Sequence, residues 1–192
     1  MAKLDQELEQ LAITASGALQ QIQTLLDRKK NNAGKVQFPR GYLRSAAQQR
    51  RLLPKIGTTL KRQNASYSLM LADTLRWIAI RTDLSGPPLG MLVKEAICIY
   101  GAILDWLLKE VTYRNGSRRS FAYRTQKCID LGIIDQDLKD ELDWVWGLRC
   151  NEHFHEVTES EIDMYGRADH NRARKAFVKL CMSIKQHLGE DT

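Results

Sequence analysis

The chain has 192 residues, 43% hydrophobic and 27% charged, a balance that suits one good core plus an appended helical region and excludes wholesale disorder. Its longest apolar stretch, residues 97–108, is about half a membrane span and contains Asp105, and the start lacks a signal-peptide core, so a cytoplasmic protein without a membrane segment is expected. The formal charge of +6 is unevenly spread: residues 28–72 hold eleven Lys and Arg and no Asp or Glu, while the remainder holds 18 basic and 23 acidic residues. Such a segment attracts polyanions, of which nucleic acid is the commonest inside cells. Its charges are Arg28, Lys29, Lys30, Lys35, Arg40, Arg44, Arg50, Arg51, Lys55, Lys61 and Arg62, all candidate nucleic-acid-binding residues.

Few prolines and few β-branched runs point to an all-α chain. A first helix is predicted over 4–27, where Leu4, Leu8, Leu11, Ala15, Ala18, Ile22 and Leu25 recur at steps of three and four. Residues 29–40 read as loop, broken by Asn31 to Gly34 and by Pro39. Residues 42–53 look helical, Pro54 suits the first turn of a following helix, and 54–81 are helix-compatible. The run Asp83-Leu84-Ser85-Gly86-Pro87-Pro88 reads as a linker, dividing an N-terminal helical region (1–82) from a C-terminal bundle (91–192) through residues 83–90.

The helix expected over 89–112 is apolar on most of its circumference, with Lys94, Asp105 and Lys109 as a thin polar line. Ser120 can cap a short helix that Gly132 ends, and Asp135 can cap the next. That helix has an inward stripe of Leu138, Leu142 and Val145 that continues at Arg149. A charged fork at a core position must be paired or face a cleft. A last helix is expected over 169–188, with Ala173, Phe177, Leu180, Ile184 and Leu188 inward, and Gly189 as its stop. Trp106, Trp144 and Trp146 lie at core spacing; Phe38, Tyr42 and Tyr67 are better candidates for stacking on bases. His170 and His187 read as ordinary helix-face residues.

The stretch Leu148-Arg149-Cys150-Asn151-Glu152-His153-Phe154-His155-Glu156 concentrates chemistry. Arginine offers a permanent charge in a fork that fits phosphate, and histidine exchanges protons near neutral pH. No metal or other cofactor is expected, because Cys150, His153 and His155 have no second ligand cluster and no zinc spacing. The four cysteines, Cys98, Cys128, Cys150 and Cys181, are scattered and read as reduced thiols.

Residues 89–188 resemble the HEPN superfamily (higher eukaryotes and prokaryotes nucleotide-binding domain). The likeness rests on the long apolar helix over 89–112, then the run Ser120-Phe121-Ala122 with Leu131 to Asp135 and Leu138, then the Arg–His motif before a final amphipathic helix. Arg149 and His155 have five residues between them, within the family's four to six; Arg149 and His153 have three. Cys150 follows Arg149 where the family favours a polar residue, and Asn151 stands one place later.

The resemblance implies a bundle of four to five helices and a homodimer with two motifs facing one cleft. It also implies metal-independent cleavage of RNA through the 2′-OH, of a toxin or phage-defence kind with an antitoxin or defence partner protein. Arg149 would then hold the phosphate, His155 move protons, and Asn151 or His153 support them. Two other readings stay open. One is a non-catalytic helical dimer that binds nucleic acid or a partner protein. The other is a basic helical subunit of a ribonucleoprotein.

Overall fold

The computed structural model of the chain describes residues 2–112, 120–150, 161 and 164–190. Among these it is all-α, with seven helices and no strand. By compactness the chain divides into two units, Met1–Arg40 and Gly41–Thr192. None of the helices in the described residues is long and apolar enough to cross a membrane.

The first unit is α1 (Ala2–Leu26) followed by a short 3-10 turn, Asn32–Gly34. Asp27 leaves the helix with φ 48°, and the returning chain brings Gly34 against the side chains of Ile22 and Leu26. Asn31 caps the turn by accepting a 2.9 Å hydrogen bond from the Ala33 N–H.

The second unit is built around α4 (Gly86–Thr112). Its neighbours are α3 (Thr59–Arg81), α5 (Phe121–Asp130), α6 (Gln136–Cys150) and α7 (Arg167–Leu188), and α2 (Ala46–Leu52) packs on α3. Val93, Ile97, Leu104, Leu107 and Leu108 of α4 are sealed, together with Leu142, Val145, Leu180 and Ile184. The helix that is apolar on most of its circumference is therefore surrounded by four others. Lys94 departs from expectation: the predicted polar line is buried there, and its ammonium bonds the Glu161 carboxylate at 2.7 and 2.8 Å. Burial pushes the Glu161 carboxyl up, but hydrogen bonds from Lys94 and Tyr165 outweigh it and hold it below its ordinary value.

The capping signals act as read. Ser120 accepts from the Tyr123 N–H at 3.2 Å, Asp135 from the Leu138 N–H at 2.8 Å, and Gly189 ends α7 in the left-handed region. Leu188, expected inward, is exposed at the last turn of α7.

Several boundaries differ from expectation, two of them by more than a turn or in kind. The helix read from Pro54 begins instead at Thr59, after a turn in which Gly57 has φ 66°. A Cβ on Gly57 would stand 3.1 Å from Trp106 and Glu110, so this turn lies hard on α4. The supposed linker is mostly helix: Pro87 and Pro88 occupy the first turn of α4, where no backbone N–H is needed. By compactness the chain divides at 40/41. Arg167 at the start of α7 ties this region together, its Nε donating to the Ala79 carbonyl at 2.6 Å and another guanidinium nitrogen to that of Leu84 at 3.2 Å.

Candidate nucleic-acid interface

Seven residues make α2, too few to stand alone, so its position is set by caps and by what it packs on. Ser45 and Gln48 form a reciprocal capping box: Gln48 Oε1 accepts from the Ser45 N–H at 2.8 Å, and Ser45 Oγ from the Gln48 N–H at 3.3 Å. Gln49 is its one buried residue, and its amide donates to Asp73 at 2.7 Å and to the Leu69 carbonyl at 3.3 Å, both on α3. With Gln49 turned inward, its neighbours Arg50 and Arg51 are exposed.

These two arginines, with Lys55, Arg62 and Lys185, line an open groove of about 590 Å³. Ala47, Leu53, Thr59 and Glu190 complete its walls. Five cations therefore face one anion there. Lys185 donates to the Arg51 carbonyl at 2.6 Å, placing a positive charge at the C-terminal end of α2. Glu190 accepts from the Lys55 N–H at 2.7 Å and holds the 53–58 turn against the end of α7. The Nε of Arg62 is buried and has no hydrogen-bond partner among the described residues.

Of the eleven basic residues singled out in the sequence, the groove gathers Arg50, Arg51, Lys55 and Arg62. Lys61 pairs with Glu110 at 2.5 Å, and Arg44 lies 3.9 Å from Asp73. Arg28, Lys29, Lys30, Lys35 and Arg40 are exposed in the first unit. Lys185 was not predicted, since nothing in local spacing links it to residues more than a hundred positions away; only the fold joins them.

The Arg–His motif is described only in part, because Asn151, His153 and His155 lie outside the described residues. Arg149 is half-buried, where the α6 stripe placed it. Its stem lies on Gly101 of α4, at which a Cβ would come within 3.0 Å of Arg149 Cβ and Cγ. The guanidinium carbon stands 5.0 Å from the ring centre of Trp146, which stacks on Phe121 at 4.4 Å. Arg149 and the groove are separate places: one on the middle of α4, the other at the ends of α2 and α7. Among the described residues no group of three His, Cys, Asp or Glu could hold a metal ion.

His170, read as an ordinary helix-face residue, is buried. It is 3% exposed, edge-on to Tyr100 at 5.8 Å, and its Nε2 has no hydrogen-bond partner among the described residues. Burial holds the imidazole down to about 4, with Arg76 and Arg174 adding to the effect and Asn171 and Asp73 opposing it. Above pH 6.5 the ring is neutral in both folded and unfolded chains. Between 6.5 and about 4 the unfolded chain takes up a proton that the folded one refuses, so stability falls with pH. The loss is complete below about pH 4 and amounts to roughly 3 kcal/mol. Urea unfolding at successive pH values should show wild type losing this amount relative to His170→Gln. A difference between the two proteins that is constant with pH would refute the assignment.

Comparison with known protein families, with curated proteins and with solved structures found no match. What the chain's own geometry defines is an all-α bundle around α4 with a cationic groove beside it.

Proposed function

We propose that this chain is an RNA-acting, HEPN-like protein. In this reading the groove holds the phosphate backbone, and the Arg149–His155 motif is a metal-independent endoribonuclease centre of a toxin or phage-defence system. The single observation that carries RNA binding is the convergence of Arg50, Arg51, Lys55 and Arg62 with Lys185, from distant parts of the chain, onto one open groove. Phosphate contacts of this kind position a strand without reading its sequence.

Cleavage would follow from the motif's chemistry. One imidazole removes the 2′-OH proton, a second protonates the leaving 5′-oxygen, and Arg149 stabilises the charge gathering on phosphorus. A homodimer supplies His155 twice, Asn151 or His153 orients the pair, and the 2′-OH requirement selects RNA over DNA. An antitoxin or another defence protein is the partner this role calls for.

RNA incubated in EDTA with wild type, Arg149→Ala and His155→Ala tests the enzyme. Products with 2′,3′-cyclic phosphate ends from wild type alone are expected. Equal cleavage by all three proteins removes the motif from the reaction, and no cleavage by wild type removes the activity for the RNA used.

A second reading is a non-catalytic RNA- or protein-binding module, alone or within a ribonucleoprotein. The contact that favours it is the Arg149 stem laid on Gly101 with its head against Trp146, an arrangement that serves packing of α6 on α4. There Arg149→Ala lowers the melting temperature and leaves RNA affinity intact.

A further inference from the structure

The large apolar side chains of α1 other than Ile13 fall on one face, and seven of its apolar residues recur in a heptad that Leu19 and Leu26 flank. Leu8, Ala15 and Ile22 occupy one core position of a heptad; Leu4, Leu11, Ala18 and Leu25 occupy the other. This is the pattern of a coiled-coil seam sustained over three heptads, and the helix buries almost none of it. Leu11 is 60% exposed and Leu25 83%, while Ile22 is half-covered by the returning Gly34. A single helix with such a face gains nothing from it in water.

We infer that α1 is a self-association element that pairs antiparallel with α1 of a second copy of this chain. Charge selects the orientation. The first turns carry Asp5, Glu7 and Glu9 against one Lys3, and the chain just past the helix carries Arg28, Lys29 and Lys30. Parallel pairing sets like charges together at both ends. Antiparallel pairing sets each acidic end beside a basic one and opposes the helix dipoles.

Side-chain size agrees with one antiparallel register. Leu8 then meets Leu25 of the second copy, Leu11 meets Ile22, and Ala15 meets Ala18, so large layers flank a small central pair. Shifting the pairing by one heptad sets Leu8 against Ala18 and Leu11 against Ala15, leaving voids. The contact is isologous, so it closes at two chains.

The full-length protein, cleared of nucleic acid by nuclease and high salt so that RNA cannot bridge copies, should sediment as a dimer at micromolar concentration. Leu11→Glu should sediment as a monomer while the helices of the second unit keep their hydrogen-exchange protection, because that side chain is exposed in a single chain. Under mild oxidation a mixture of Leu8→Cys and Leu25→Cys proteins should give a disulfide-linked dimer beyond any seen with wild type, and Leu8→Cys alone should not. A monomeric wild type overturns the inference and leaves the stripe to a partner of different sequence. A Leu11→Glu dimer also overturns it, by moving the contact off α1. Efficient cross-linking of Leu8→Cys by itself overturns the antiparallel arrangement.

Discussion

A chain carrying glutamine at Arg50, Arg51, Arg62 and Lys185 should bind short single-stranded RNA on the order of a hundred-fold more weakly than wild type at about 50 mM salt. Each cation that meets a phosphate releases condensed counterions, and for single strands the logarithm of affinity falls by about 0.7 per contact for each decade of salt. Losing four contacts therefore flattens the salt slope by about 3, and the two affinities converge as salt rises. Glutamine is the informative replacement because it keeps a donor where Lys185 meets the Arg51 carbonyl, so the charge goes and the cap on α2 stays.

Bulk charge alone is separated from the groove by a matched pair. Arg50→Gln with Arg51→Gln removes the same charge as Lys175→Gln with Lys179→Gln on the exposed side of α7. Only the first pair should change affinity strongly. Equal losses from both would reduce the groove to a general attraction between a basic protein and RNA. An unchanged slope in the fourfold variant would remove the groove from RNA binding altogether.

How far this arrangement could be read from sequence depends on whether the signal was local. The α6 stripe ran Leu138, Leu142, Val145 and on to Arg149, and these four do line up toward α4, the first three sealed and Arg149 half-buried. Ser120 and Asp135 announced their helices because a cap needs only the next three residues. The Ser45–Gln48 capping box was equally legible by spacing, yet the helix was expected to begin at 42, three residues before that cap. Pro87 and Pro88 misled for a different reason. Proline breaks a helix interior but suits its first turn, and only the packing of Leu89 and Gly90 distinguishes the two cases.

The basic segment was visible as composition, but composition could not say which charges converge. Lys61 went to Glu110, Arg44 lies beside Asp73, and Lys185 arrived from the far end of the chain. His170 was illegible because its burial depends on α3 and α4, neither of which is near it in sequence. Asn151, His153 and His155 were the sharpest chemical signal and lie outside the described residues, so their role stays with the proposal.

Asp73 is the residue on which the groove's position turns, although it is no part of the groove. It is 5% exposed on α3, and its carboxylate accepts the Gln49 amide at 2.7 Å and the Arg44 N–H at 3.4 Å, with the Arg44 guanidinium 3.9 Å away. Asp73→Ala leaves the buried Gln49 with one donor contact, to the Leu69 carbonyl, and no acceptor contact among the described residues. Loss of a charge-assisted bond and stranding of a buried amide cost about 2 to 3 kcal/mol, partly offset by relief of the carboxylate's own desolvation. A melting temperature lower by about 5 to 10 °C is expected for a chain of this size.

The damage should be local before it is global, since α2 is two turns long and Gln49 is its only buried side chain. Hydrogen exchange in residues 46–52 should quicken in Asp73→Ala while α6 keeps its protection. RNA affinity should fall in the same variant, because Arg50 and Arg51 lose their fixed place on the groove wall. Asp73→Asn keeps an acceptor for Gln49 and should recover most of the protection and most of the affinity. If α2 exchanges no faster in the alanine variant, Asp73 does not anchor it, and the groove must be held by Lys185 and Glu190 instead.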